Sequence, residues 1–77
     1  MDDQHYIGLK ILSVVMTCDR LNCGRSWLYE QINRKSPHFN PDLPQPVRYG
    51  SRVGFIEHEI DDYIRGLMQA RGGDVER

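Results

Sequence analysis

Long apolar runs are missing from this sequence of 77 residues, and no stretch approaches the ~20 apolar residues that a membrane-spanning helix needs. The first ten residues, MDDQHYIGLK, are acidic and hold no apolar stretch of signal-peptide length. Cysteine is scarce. Cys18 and Cys23 alone make no disulfide framework, and no second pair completes a zinc site. His5, His38 and His58 fall in three different segments, so two small buried thiols in a reduced, cytoplasmic protein is preferred to a metal site. There is no phosphate-binding glycine loop and no metalloprotease helix. Ser13, Ser26, Ser36 and Ser51 have no His and Asp arranged around them by a hydrolase motif. Neither catalysis nor a cofactor is expected. A chain this short buries only about 60% of its unfolded surface, so one small domain is the expectation.

Net charge is also small, at −1, but it is unevenly spread. Between Arg20 and Arg52 stand six bases (Arg20, Arg25, Arg34, Lys35, Arg48, Arg52) against two acids, a local +4. The rest carries four bases and nine acids, a charge of −5. A polarised domain of this kind can offer one positive face to a polyanion.

Residues 1–12 show no sustained period and read as an arm, with Tyr6, Ile7, Leu9 and Ile11 touching the core. The folded domain is expected over 13–71 and a frayed tail over 72–77. Ser13 is a good N-cap, and Val14, Thr17, Cys18 and Leu21 follow at helical spacing, predicting a helix from Val14 to Leu21. Asn22, which tolerates a left-handed backbone, marks the turn. Gly24 then opens a second helix, roughly Arg25 to Arg34, with Leu28 and Ile32 on its core side. At ~100° per residue, Ser26, Glu30 and Asn33 lie opposite that side. Trp27 and Arg34 lie on one flank and Tyr29 on the other. Two short helices around a tight turn form a helix-turn-helix, whose second helix fits the major groove.

All four prolines fall within residues 35–46, which predicts an extended loop pinned by Phe39 and Leu43. From Val47 the period becomes two. Gly50-Ser51 predicts a two-residue hairpin turn, with Val47, Tyr49, Val53 and Phe55 on one side and Arg48 and Arg52 on the other. Ile56, Ile60, Ile64, Leu67 and Met68 then repeat at helical spacing. Acids lead this last helix and arginines trail, as the helix dipole prefers. The fold class is therefore mainly α with a small β-hairpin: a winged helix-turn-helix of three helices and a two-stranded wing.

Three segments carry a resemblance: CGRSWLY at 23–29, LPQPVRYGSR at 43–52 and GFIEHEIDDYI at 54–64. In that order and spacing the chain resembles the AlpA family of small phage-type DNA-binding regulators. That family is similar in turn to excisionases and to the MerR-like winged helix. Against the family's pattern, Asn22 and Gly24 exchange the usual turn and cap residues, Trp27 replaces a small residue, and Leu43 replaces Phe. The loop before Asp42 is also longer.

The resemblance implies sequence-specific binding of double-stranded DNA, as a transcriptional regulator of a prophage or mobile element or as an excision-control factor with an integrase as partner. It implies DNA contacts from Arg25, Ser26, Tyr29 and Arg34, and from the wing at Arg48 and Arg52. Trp27, Glu30, Asn33, Lys35 and Ser51 complete the candidate set from helix geometry and their place beside the basic residues. The alternative is a protein-interaction module that keeps the fold without binding DNA. The chain offers no heptad segment, and the stripe from Ile56 to Met68 is expected to serve its own core. A monomer in solution that assembles cooperatively on DNA follows from that expectation.

Overall fold

A computed structural model of the chain describes residues 9–72. Strand β1 (Ile11–Ser13) runs without a break into helix α1 (Val14–Leu21), and helix α2 (Arg25–Ile32) follows. After a long loop come β2 (Val47–Tyr49), β3 (Arg52–Ile56) and α3 (Glu57–Gly72). The three strands form one antiparallel sheet in the order β1-β3-β2.

The expected two-stranded hairpin thus lies within a three-stranded sheet, because residues assigned to the arm add a strand to it. Ile11 pairs with Ile56, Leu12 with Phe55 and Ser13 with Gly54. The Glu57 N–H donates to the Lys10 carbonyl (2.8 Å), continuing the ladder to the start of α3. Leu12 is buried, whereas Leu9 and Ile11, both expected against the core, are exposed. Tyr6 and Ile7 lie outside the described residues, as does the tail beyond Gly72.

Ser13 closes β1 and caps α1: its Oγ accepts from the Met16 N–H (3.1 Å). Thr17, fully buried, satisfies its hydroxyl by donating to the Ser13 carbonyl (2.8 Å). At the other end Asn22 adopts φ 56° and ψ 52°. The Asn22 N–H donates to Asp19 and the Cys23 N–H to Cys18, the paired bonds of a Schellman turn. α1 and α2 are therefore joined by a turn with defined geometry.

The core takes side chains from nearly every element: Leu12 from β1, Cys18 from α1, Leu28 from α2, Leu43 from the loop, Phe55 from β3 and Ile60 from α3. α1 touches both the sheet and α2, so it couples them. The last helix departs from expectation at both ends. Ile56 is the final residue of β3, and the helix starts at Glu57. Ile60 is buried and Tyr63 and Ile64 pack on the core, but Leu67 and Met68 are 51% and 53% exposed. The apolar stripe outruns the small core it was expected to fill.

Gly54 lies in the central strand, paired with Ser13 of β1 on one side and Val47 of β2 on the other. A Cβ there would lie 2.5 Å from Ile11 Cγ2 and 2.7 Å from the Leu12 carbonyl oxygen. The carbonyl belongs to the paired strand and has no room to move. Gly66, in α3, faces open space by the same measure. Gly54→Ala is expected to destabilise the fold by about 1–3 kcal/mol, the usual cost of overpacking. Gly66→Ala should stabilise it by up to about 1 kcal/mol, through helix propensity alone. Urea titration of both variants checks the pair, and equal midpoints would contradict the sheet packing.

Candidate nucleic-acid interface

α2 is shorter than its expected span, ending at Ile32 instead of Arg34. Asn33 is extended, with φ −88° and ψ 111°. Its Oδ1 accepts from the Lys35 N–H (3.0 Å), a local turn that competes with helix continuation. The Ser36 N–H bonds back to the Asn33 carbonyl, and the Asn40 N–H takes the Gln31 carbonyl (2.8 Å). Asn33 and Arg34 are therefore corrected from a helix face to the turn that follows it, where Lys35 also lies. The Arg34 guanidinium lies 5.7 Å from the centroid of the Phe39 ring, a cation–π contact that holds it against the loop.

The remaining helix presents Arg25, Ser26, Trp27, Tyr29 and Glu30, all exposed, while Leu28 between them is wholly buried. The Leu28 anchor is why the other side chains point away from the core. Trp27 and Tyr29 are 44% and 48% exposed, large areas for aromatic groups on so small a domain. Gly24 begins the helix without a side-chain cap, so no capping side chain engages the N–H groups of its first turn. His38 Nε2 stands 3.8 Å from a Glu30 carboxylate oxygen.

The second group of candidates is at the hairpin tip. Gly50, at φ 63°, takes the left-handed conformation at the start of the two-residue turn, and Ser51 completes it, exposed. The register pairs Val47 with Gly54, Arg48 with Val53 and Tyr49 with Arg52. Directly opposed residues share a face. Arg52 therefore shares a face with Tyr49 and Val47, while Arg48 shares one with Val53 and, farther along, Phe55. The expectation that both arginines occupy one face is corrected: they stand on opposite faces of the ribbon, both exposed. Tyr49, expected to face away from the arginines, is instead the cross-strand neighbour of Arg52.

Arg20 leaves the candidate cationic surface. Its guanidinium bonds to Glu57 (2.8 Å) and to Asp61 (2.6 Å), tying α1 to the first turns of α3. These two carboxylates, Glu57 first, raise its already high pKa further. Among the described residues no acid pairs with Arg25, Arg34, Lys35, Arg48 or Arg52. Arg48 in particular pairs with no acid of the last helix among the described residues. Asp62 is taken by Arg65 on its own helix. Part of the acidic helix is thus neutralised within the domain, and the bases around α2 and the hairpin have no acid partner among the described residues. Cys18 is buried and Cys23 half-buried. Burial first, and then the neighbouring Cys18, pushes the Cys23 thiol up. No helix of the described residues is long and apolar enough to cross a membrane.

The chain is 29% identical over 58 residues to the DNA-binding transcriptional activator AlpA of Escherichia coli (strain K12). The match spans 74% of this chain and 83% of that protein. It bears out the resemblance carried by the three sequence segments. No family model and no solved structure matches.

The assignment of Arg20 has a direct consequence. Arg20→Ala should lower stability, because Glu57 and Asp61 lose their shared cation, and should leave the salt dependence of any polyanion binding unchanged. Denaturation and a binding titration at several salt concentrations check both halves.

Proposed function

With an AlpA-type regulator as its relative, we propose that this chain binds double-stranded DNA sequence-specifically, as a small transcriptional regulator of a prophage or mobile element or as an excision-control factor. The observation that carries the reading is the exposed face of α2. Arg25, Ser26, Trp27, Tyr29 and Glu30 project from the second helix of a tightly turned pair and are not consumed by the fold. In this reading α2 enters the major groove, which admits one helix. Arg25 lies at its uncapped N-terminus, where backbone N–H groups and the helix dipole favour a phosphate. Ser26 and Glu30 meet base edges, and Glu30 accepts from a cytosine N4 amine. Arg34 and Lys35, in the turn beyond the helix, bind the backbone.

The hairpin acts as a wing. With Arg48 and Arg52 on opposite faces, the ribbon can lie along a groove and reach a phosphate on each side. Such contacts fix register and carry no sequence information themselves. The function requires no catalytic step and no cofactor. The excision-control version adds an integrase as the protein partner.

The exposure of Leu67 and Met68 removes the reason for reserving the whole apolar stripe to the core. It favours a second reading, a protein-interaction module, and also bears on self-association. Two apolar side chains fall well short of the ~1,200–2,000 Å² that a stable interface buries. A free monomer that gains partners only when DNA aligns them is the corresponding proposal. Sedimentation equilibrium without DNA should give the monomer mass, and footprinting should then show cooperative filling of repeated sites. A tight dimer in solution would overturn this part.

Five cations without an acid partner among the described residues, not all engaged on DNA, predict a log–log salt slope of about −3 to −4.5, at ~0.9 per phosphate contact. Arg52→Ala should weaken binding to all duplexes alike and flatten that slope by about one. Mobility shifts on random duplex across a salt series supply the measurement. Salt-independent binding, or no binding at low salt, would favour the protein-interaction module instead.

A further inference from the structure

We infer that Trp27 is a specificity-determining residue that reads the 5-methyl group of a thymine. The inference rests on the DNA-binding reading above and assigns one base to one side chain.

Trp27 is the third residue of α2 and the single tryptophan of the chain. It does not belong to the core or to the side chains packed against it; Leu28 and Ile32 fill that role for this helix. Among the described residues its indole N–H makes no hydrogen bond. The fold thus leaves a large apolar ring 44% exposed and outside the core. On the helix surface Trp27 and Glu30 are three apart and therefore neighbours, so the ring adjoins a base-reading carboxylate. The departure of Asn33 and Arg34 from the helix sharpens the point. It leaves Arg25, Ser26 and Glu30 as the flexible polar readers on α2, and the aromatic area becomes a large share of what enters the groove.

The chemistry of the groove then selects the partner. Major-groove base edges present hydrogen-bond donors and acceptors, and a single apolar group, the thymine methyl. An indole laid over polar edges removes their water and offers only one N–H in return, which is costly. Laid over a thymine methyl, it buries apolar surface against apolar surface. Discrimination at that position therefore comes from the methyl group and not from hydrogen bonding.

The test begins with duplexes selected from a random pool by the full chain. In the best duplex each thymine is replaced singly by deoxyuridine, which removes only the methyl. Wild-type protein should lose about fourfold in affinity at one or two thymines, the scale of one buried methylene-sized group. Trp27→Ala should bind more weakly, be indifferent to the methyl at those thymines and keep its sensitivity to base changes elsewhere. Trp27→Phe should recover part of the methyl preference. Circular dichroism of the variants verifies that α2 remains folded. In the wild type, the emission of the sole tryptophan should shift on adding the selected duplex, and shift less with the deoxyuridine version. Intact DNA binding with no methyl-sensitive thymine, or methyl sensitivity that survives in Trp27→Ala, would overturn the inference and leave the DNA-binding reading standing. A chain that binds no duplex would remove that reading and this one together.

Discussion

The pairing of Ile11–Ser13 with Gly54–Ile56 is the constraint on which the rest of the molecule depends. Each of these strands passes directly into a helix, β1 into α1 and β3 into α3. Joining the strands therefore fixes where two of the three helices begin. Gly54 permits the close approach, since its missing side chain leaves room for Ile11 and the Leu12 carbonyl. Leu12 and Phe55, opposite one another on the other face, anchor the core on which both helices settle. The Arg20 bridge to Glu57 and Asp61 then closes the gap between α1 and α3. A bridge so open to solvent contributes modestly. It links α1 to α3, and α1 is joined to α2 by the Schellman turn.

This arrangement also sorts the charges. Arg20 lies inside the basic stretch of sequence, yet the fold turns it toward the acids of α3. The acidic helix would otherwise oppose a polyanion near the domain. With Glu57 and Asp61 bound to Arg20, and Asp62 to Arg65, much of its charge is balanced at short range. The bases of α2, its following turn and the hairpin tip have no such partners among the described residues. A chain of net charge −1 can thus show a locally cationic surface.

Much of the fold is legible in the residues, and the exceptions have physical causes. α1 was fixed at both ends by side chains with local effects, Ser13 as cap and Asn22 as left-handed turn. The hairpin turn was equally plain, but its faces were not. A two-residue loop pairs Tyr49 with Arg52, so residues sharing a face change from odd to even numbers across the turn. Counting alternation straight through the loop reverses one strand. β1 spans three residues, too few for any period, and exists because β3 offers an edge. The end of α2 turned on one side-chain acceptor, Asn33 Oδ1, competing with the helical backbone. Periodicity identified the apolar side of α3 correctly but could not say how far the opposing core extends. The candidate residues of α2 were legible because burying Leu28 commits its neighbours to solvent. The positions of Arg34, Lys35 and the two hairpin arginines depended on turns and register instead.

The shortened α2 changes what the proposed interface has to work with. Eight residues make little more than two turns, and two of them, Leu28 and Ile32, hold the helix to the domain. Contacts beyond Glu30 come from a turn, where Arg34 is held against Phe39 and is directed by the loop. In the proposed complex, backbone contacts from that turn and from the hairpin orient the domain on a duplex, but they distinguish few sequences. Sequence discrimination then falls on a handful of side chains over a few base pairs, and a single module of this kind buries only about 600–1,000 Å². Each additional copy on neighbouring sites would add its own few base pairs to the total. The exposed end of α3 is where the domain has apolar surface left over, in Leu67 and Met68, for contact with such a neighbour. The small core therefore limits both ends of the proposed function: it leaves too little helix to read a long site alone, and it leaves uncovered the side chains through which a second domain could help.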